Sequence, residues 1–329
     1  MTGLGLDVGG SAIKWAVLDG SSVVDSGSVP TPTSGPQDVV AQLAHIAGTA
    51  GSGVETVGVA LPAHVDRGTG RVVLLPNIPG DWTGFPLGSR LAQQVERPVH
   101  ALNDARAFGY AELRVGAARG RRNAVFATIG TGIGGAIAIG GGILSSDQDA
   151  VGELGHVMVD PEGIPCGCGG RGCLETIASA PALVAAAARG VLLGHSPALA
   201  RATGGAVERL TPEILTAAAA AGDEFCSRLV ARAGRALGVA LGNVCALMTI
   251  DTVVVGGGAT GAIDLLVPAI ERELAWRASL VPGISVHRAA LGGSGGAVGA
   301  ALYAHDKTSH GNHDLPHTPK KEHDLALDH

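Results

Sequence analysis

Lysine is nearly missing from this chain. Of 23 basic residues only four are Lys, and three of those (Lys307, Lys320, Lys321) fall in the last 25 of 329 residues. Residues 1–304 therefore hold 19 Arg and a single Lys, Lys14. Aromatics are scarce at 3% and charged residues modest at 16%, against 46% hydrophobic residues. A chain of this length spans about two domains and can bury a large core. No collagen-like period and no proline surplus accompany the 52 Gly, roughly twice the ~7% of average proteins. The excess points to tight turns or close backbone–ligand approaches rather than disorder. A basic footprint is also lacking. The net charge is −6; the segment from Ala304 onward, with five acids and three Lys, holds −2, and the body holds the other −4. An acidic body with scattered arginines argues against a nucleic-acid partner. No apolar run free of Gly and polar residues reaches the ~18–20 needed to cross a bilayer, and no charged segment followed by an apolar one opens the chain. A cytoplasmic protein with no membrane partner is expected. Cysteine is rare and odd in number: five, three of them within eight residues, which in a reducing compartment suggests a metal site.

What is present reads as α/β. Leu4–Val8, Ala12–Leu18 and Val23–Val29 are extended runs joined by tight turns, a β-meander. Helical patterns at Gln37–Ala50, Gly84–Val95 and Asn103–Val115 alternate with strands at Thr56–Ala60 and Pro98–Leu102. The pattern then recurs. Strand Asn123–Ile129, a glycine turn and strand Gly134–Ile139 repeat the first meander at an offset of 121 residues, with Gly9 falling on Gly130, which suggests two related domains. Helices follow at Ala180–Ala188, Asp223–Met248 and Ile263–Ser279, with strands at Asp251–Val255 and Ile284–Arg288 and a last helix at Gly296–Tyr303. From His305 on, six of the 12 His gather with few apolar residues, which predicts a disordered His-rich tail over 305–329.

Three glycine turns are candidate phosphate cradles. Asp7-Val8-Gly9-Gly10-Ser11-Ala12-Ile13-Lys14 sets an acid, two Gly, a hydroxyl and the lone Lys around one turn. Its amides and Lys14 suit phosphate oxygens, and Asp7 suits a hydrated Mg²⁺. The alternative is an ordinary hairpin. Gly130-Thr131-Gly132-Ile133-Gly134-Gly135 spells G-x-G-x-x-G, but a strand follows where a dinucleotide fold needs a helix. With Thr131 and Gly132 it reads as a second phosphate turn, and Gly256-Gly257-Gly258 after a buried strand as a third. Three such turns suit a nucleotide held between two domains.

The most specific pattern is Glu153-Leu154-Gly155-His156 followed by Cys166-Gly167-Cys168 and Cys173-Leu174-Glu175. His156, Cys166, Cys168 and Cys173 supply one nitrogen and three sulfurs, a closed tetrahedral shell for a structural Zn²⁺. Reduced core cysteines are the plainer alternative. Asn103-Asp104 follows a strand. The pair can simply cap a helix, and Asp104 can also take a proton from a hydroxyl nucleophile.

Taken together, LDVGGSAIK, LNDA, TIGTGIGGAI, GELGH, PCGCGGRGCLE and VVVGGG resemble the ROK family of sugar kinases and related repressors over residues 3–304, and most resemble its glucokinases. The resemblance implies an actin-like ATPase (ribonuclease-H-like) fold: two α/β domains around a cleft, with a small zinc-bound subregion. The expected division is 1–115 plus 290–304 as the smaller domain and 116–289 as the larger. It implies ATP-dependent phosphorylation of a hexose, glucose to glucose 6-phosphate, with ATP, Mg²⁺ and structural Zn²⁺ as cofactors and a homodimer as the assembly. By position Asp104 looks like the general base. Asn103, Glu153, His156, Glu175 and Asn77 look like sugar ligands, and Asp7, Gly9, Gly10, Ser11, Lys14, Thr131, Gly132 and Gly256–Gly258 like the nucleotide site. The alternatives are a kinase for fructose, mannose or N-acetylglucosamine, a polyphosphate-using glucokinase, or a non-catalytic sugar sensor. Two departures bear on substrate choice: Arg106 stands where the family usually has Asn, and Pro62-Ala63 where it has Pro-Gly. The first loop begins at Leu4, with no room before it for the repressors' DNA-binding helices.

Overall fold

A computed structural model of the chain describes residues 2–310 apart from 52, 67, 76–77, 147–149, 259 and 277–278. Strands β1 (Thr2–Val8), β2 (Ala12–Asp19) and β3 (Ser22–Pro30) form the expected meander. Helix α1 (Pro36–Thr49) leads to β4 (Val54–Leu61) and a small hairpin, β5 (His64–Asp66) with β6 (Arg71–Leu74). Helix α2 (Leu87–Val95), β7 (Val99–Asn103) and α3 (Asp104–Arg114) complete the first half. Its sheet runs β3-β2-β1-β4-β7, with β4 parallel to β1 and to β7. Seven of the eight β4 residues are buried, because layers cover both faces of a central parallel strand.

The second half repeats this plan. Strands β8 (Ala124–Ile129), β9 (Ile133–Ile139) and β10 (Gly142–Ile143) form its meander. A cysteine-bearing loop precedes helices α4 (Glu175–Ala178), α5 (Ala180–Leu192), α6 (Pro197–Thr203), α7 (Pro212–Ala220) and α8 (Glu224–Met248). Then come β11 (Thr252–Gly256), α9 (Thr260–Ala275), β12 (Ser285–Arg288) and α10 (Gly295–His310). The sheet order is β10-β9-β8-β11-β12, position for position that of the first sheet, with β11 parallel to β8 and β12. An offset of 121 residues carries β1 onto β8 and β2 onto β9, as the sequence predicts. Two five-stranded sheets of one topology, each with helical layers, give the actin-like, ribonuclease-H-like fold.

Helices α6 and α7 escape the sequence pattern because they are short and alanine-rich, with little periodicity. Their starts are nonetheless encoded: Ser196 and Thr211 accept from the backbone amides of Leu199 and Ile214, and Pro197 and Pro212 open the first turns. Helix α8 is long and apolar enough to cross a membrane, yet it carries Arg228, Arg232 and Arg235, and 56% of its most apolar stretch is buried inside the protein. It is the central helix of the second core, where Leu237, Leu241 and Cys245 meet Val253 and Ile270.

Two helices join the halves. On α3, Phe108 packs with Phe126 and Val254 of the second sheet, while Ala111 packs with Ala16 of the first sheet and Ala297 of α10. Helix α10 lies directly on the first sheet. A side chain at Gly58 would meet the Ala300 carbonyl oxygen at 1.8 Å, and one at Gly5 the Ala297 oxygen at 1.7 Å. Those glycines serve helix-on-sheet contact, not a ligand. The fully buried Glu112 ties the chain's return together. Its carboxylate accepts from the amides of Ala117, Ala290 and Leu291 at 2.7–3.0 Å, three charge-assisted bonds that offset the cost of burying it.

One boundary needs correction. The last helix does not stop at Tyr303, and the tail does not begin at His305: α10 continues to His310, held by Asp306, which accepts from Tyr110 and pairs with Arg114. Residues 311–329 of the expected tail lie outside the described residues.

Candidate functional site

The site gathers where parallel strands end. Asn103 closes β7 and caps α3, its Oδ1 accepting from the amides of Ala105 at 2.9 Å and Arg106 at 3.3 Å. Its Nδ2 donates to the Ala63 carbonyl at 3.3 Å. Capping consumes the amide oxygen and holds Asp104 at the first helical position, partly buried and turned toward β1 and the second half. Burial pushes the Asp104 carboxyl up to about 7, and the Asp7 charge pushes the same way. The Ala105 amide and Arg106 pull it down, and Glu153 raises it slightly. A carboxylate poised near neutrality beside a second acid is the environment expected of a general base.

Asp7 stands opposite Lys14 in the β1–β2 register. Burial pushes its carboxyl up to about 6 against the pull of Lys14. The first residues of α10 are its neighbours, since a side chain at Gly296 would meet Asp7 Oδ2 at 2.5 Å. Lys14 Nζ donates to the Gly293 carbonyl at 3.2 Å, so the body's only Lys reaches the loop that leads into α10. Between them the Gly9–Ser11 turn is closed by Gly9 N–H to Ala12 O at 2.9 Å and braced by Thr31, whose hydroxyl donates to Gly9 O at 2.7 Å. Gly10 and Ser11 are exposed, with their backbone available to an anion.

The second turn is tied to Glu175. Gly130 N–H bonds Gly132 O at 3.0 Å and Thr131 is exposed. Glu175, the first residue of α4, accepts from the Ile133 amide at 2.9 Å, and its Oε2 lies 2.6 Å from where a Gly132 side chain would begin. Glu175 therefore sits against the Thr131–Gly132 turn. The third turn is closely packed on its side-chain faces: a side chain at Gly257 (φ +111°) would meet the Ile129 main chain, and one at Gly256 would meet Phe108 and Ala289. Gly258 has open space around it. Exposed amides at the first two turns and an open Gly258 fit a nucleotide phosphate chain, with Asp7 the carboxylate available to a hydrated Mg²⁺.

The zinc expectation meets a direct geometric test. One donor atom from each of His156, Cys166, Cys168 and Cys173 lies within 4.8 Å of the others. Cys168 Sγ and Cys173 Sγ are 3.7 Å apart, and His156 Nδ1 and Cys166 Sγ 3.6 Å. Tetrahedral zinc with bonds of about 2.3 Å to sulfur and 2.0 Å to nitrogen needs edges of about 3.5–3.8 Å. The residues fit Zn²⁺. Short backbone bonds, Cys166 N–H to Gly170 O and Gly169 N–H to Cys166 O, wrap the loop, and the isolated bridge Met158–Cys173 closes it. Zinc held through Nδ1 leaves His156 Nε2 as the ring atom for another ligand, and metal ligation fixes that orientation. Glu153 precedes the 3₁₀ turn Leu154–His156, while Glu175 follows Cys173 by two residues, so both carboxylates hang from the metal loop.

Two residues were not assigned a role from sequence. His64, on β5, places Nε2 3.3 Å from Glu153 Oε1. Arg106, 3% exposed, lies 3.8 Å from the same oxygen and donates to the Val151 carbonyl. The signal for Arg106 was present: a departure from the family's usual Asn, one turn from Asn103. Among the predicted ligands, Asp104, beside Asn103, has Glu153 as a charged neighbour, Glu175 lies at the Thr131–Gly132 turn and His156 in the cysteine cluster; Asn77 lies outside the described residues.

Comparison with known proteins agrees with this geometry. The ROK family pattern matches residues 3–307. A glucokinase of Halalkalibacterium halodurans is 32% identical over 308 residues, covering 90% of this chain and 92% of that protein. An N-acetylmannosamine kinase of Escherichia fergusonii is 31% identical, covering 92% and 98%. The crystal structure of a ROK family glucokinase from Streptomyces griseus, in complex with glucose and AMPPNP, overlays with a TM-score of 0.81 at 31% identity, covering 93% of this chain and all of that one. With the two glycine turns, the capped Asp104 and the His-Cys₃ cluster in place, this chain belongs to the ROK family.

Proposed function

We propose that this protein is a cytoplasmic, ATP-dependent hexose kinase whose preferred acceptor is glucose, working as a homodimer. The observation that carries the reading is Asp104: helix-capped, close to Asp7 and raised to about 7, with Glu153, three residues before the candidate zinc ligand His156, among its charged neighbours. Asp104 accepts the proton of the acceptor hydroxyl, O6 of the hexose, as that oxygen bonds to the γ-phosphorus. The bond from phosphorus to the β–γ bridging oxygen breaks, and ADP leaves. Asn103, Glu153, His156 and Glu175 orient the sugar, and Asn77 joins them by position. The amides of Gly9–Ser11 and Thr131–Gly132, with Lys14 and Gly256–Gly258, receive the nucleotide. Mg²⁺ held near Asp7 would neutralise charge on the transferring group. Phosphoryl transfer asks little covalent work of the protein, so positioning dominates. The return of α10 to the first sheet supports the division into 1–115 with 290–304 and 116–289.

The deciding experiment crosses glucose, mannose, fructose, N-acetylglucosamine and N-acetylmannosamine with ATP and polyphosphate, reading sugar phosphate formed. Turnover with glucose and ATP above every other pair is expected. N-acetylmannosamine kinases match this chain at about the same identity as the glucokinases, so turnover fastest with an N-acetylhexosamine replaces glucose in this reading. No phosphate transfer to any sugar would leave a non-catalytic sugar sensor.

A further inference from the structure

We propose that Arg106 is a positioning residue of the sugar site, which with His64 clamps Glu153 so that one carboxylate oxygen is fixed toward a hydroxyl of the acceptor. The inference rests on the kinase reading above and assigns a role to two residues which that reading leaves idle.

Both contacts fall on the same atom. His64 Nε2 lies 3.3 Å and Arg106 Nη1 3.8 Å from Glu153 Oε1. Among the described residues Oε2 meets no partner, and it is this oxygen that would take the ligand. The two partners arrive from different parts of the fold, His64 from the β5–β6 hairpin of the first half and Arg106 from the first turn of α3. Glu153 belongs to the second half, so the clamp spans the cleft. Arg106 is 3% exposed, whereas His64 and Glu153 keep 29% and 35% of their side chains open. The buried guanidinium and the imidazole hold one oxygen of a half-open carboxylate and so orient the other toward a hydroxyl donor. The same guanidinium donates to the Val151 carbonyl, fixing the backbone two residues before Glu153. His156, three residues on, would be fixed by the zinc that it and the three cysteines could hold, and Glu153 with it. Arg106 thus does for the carboxylate what an outer-shell residue does for a metal ligand. Both Arg106 contacts are made by the one nitrogen Nη1, so a lysine, whose ammonium has three N–H donors, is the conservative variant at this position.

The test measures KM for hexose and for ATP separately, with melting temperature, in wild type, Arg106→Gln, Arg106→Lys and His64→Gln. Arg106→Gln is expected to raise the hexose KM about 10–100-fold while the ATP KM stays within about twofold. Arg106→Lys should recover part of the loss, and His64→Gln should raise the hexose KM less. If Arg106→Gln does not fold, the lysine and His64 variants carry the test alone. Unchanged hexose KM in both, or equal rises in the two KM values, overturns the clamp while leaving the kinase intact. A wild type that phosphorylates no hexose overturns the kinase reading and the clamp with it.

Discussion

Asn103 and Asp104 share one donor. The backbone amide of Ala105 points at Asn103 Oδ1 at 2.9 Å and at Asp104 Oδ1 at 2.8 Å. The cap thus fixes the helix start and one oxygen of the adjacent carboxylate, leaving Asp104 Oδ2 to face a substrate. Asp104→Asn keeps the shape and the Oδ1 contact but removes the proton acceptor. Its kcat is expected to fall by about 10²–10⁴, with sugar affinity close to wild type by calorimetry. Near-normal turnover in that variant would remove Asp104 from the chemistry.

The same residue couples folding to pH. Its ordinary value is 3.8, and burial raises it to about 7 in the folded chain; Asp7 follows to about 6. Between those limits the folded protein binds protons that the unfolded chain has released, so stability is complete below about pH 4 and is lost as pH rises through 6–7. A helix N-terminus favours a carboxylate there, but desolvation is the larger effect at this site. Asp104→Asn should therefore melt above wild type at pH 8, with the gap shrinking toward pH 5. A gap that does not change with pH would mean that Asp104 is ionised throughout. In activity the sign reverses: the base works deprotonated, so kcat/KM should fall on the acid side near pH 7.

Metal and sugar should be lost together. Cys168 lies on the exposed side of the cluster, 3.7 Å from Cys173, so replacing it opens the shell without cutting into the core. The purified protein should carry about one zinc per chain. Cys168→Ala should lose it and weaken hexose binding about 10–100-fold, because His156, Glu153 and Glu175 all hang from that loop. Metal analysis paired with a glucose titration measures both. Full sugar affinity in zinc-free protein would separate the two sites.

Local chemistry was legible in sequence and distant packing was not. The meander, its repeat 121 residues later, the Asn103 cap and the zinc spacing are short-range patterns, and each recurs in the fold. The glycine surplus has more than one cause. Gly256 and Gly257, read as nucleotide glycines, also have no room for a side chain beside Phe108 and Ile129, while Gly5 and Gly58 exist because α10 lies against the first sheet. The α10 contacts join residues more than 200 positions apart and leave no local trace. His64 was invisible for the same reason: its partner Glu153 is 89 residues away. The last turns of α10 were misread because their polar composition resembles a tail, yet Arg114 and Tyr110 of α3 hold Asp306 in place.

The lone Lys14 has two possible employments, and they predict different kinetics. Its ammonium donates to the Gly293 carbonyl at 3.2 Å and offsets the charge of Asp7 across the strand pair. As a strut it would steady the loop before α10, and its loss would cost thermal stability with little change in KM for ATP. As a donor-phosphate contact it would exchange the neutral carbonyl for a phosphate oxygen, a stronger charge-assisted bond. The exposed Gly10–Ser11 amides nearby favour the second. Lys14→Ala should then raise the ATP KM about tenfold or more, and Arg should restore part of it. Because Lys14 pulls the Asp7 carboxyl down, the alanine variant should also need a higher pH to bind Mg²⁺-nucleotide. Steady-state kinetics at pH 6.5 and 8 decide: an ATP KM unchanged at both, with a lowered melting point, makes Lys14 a strut.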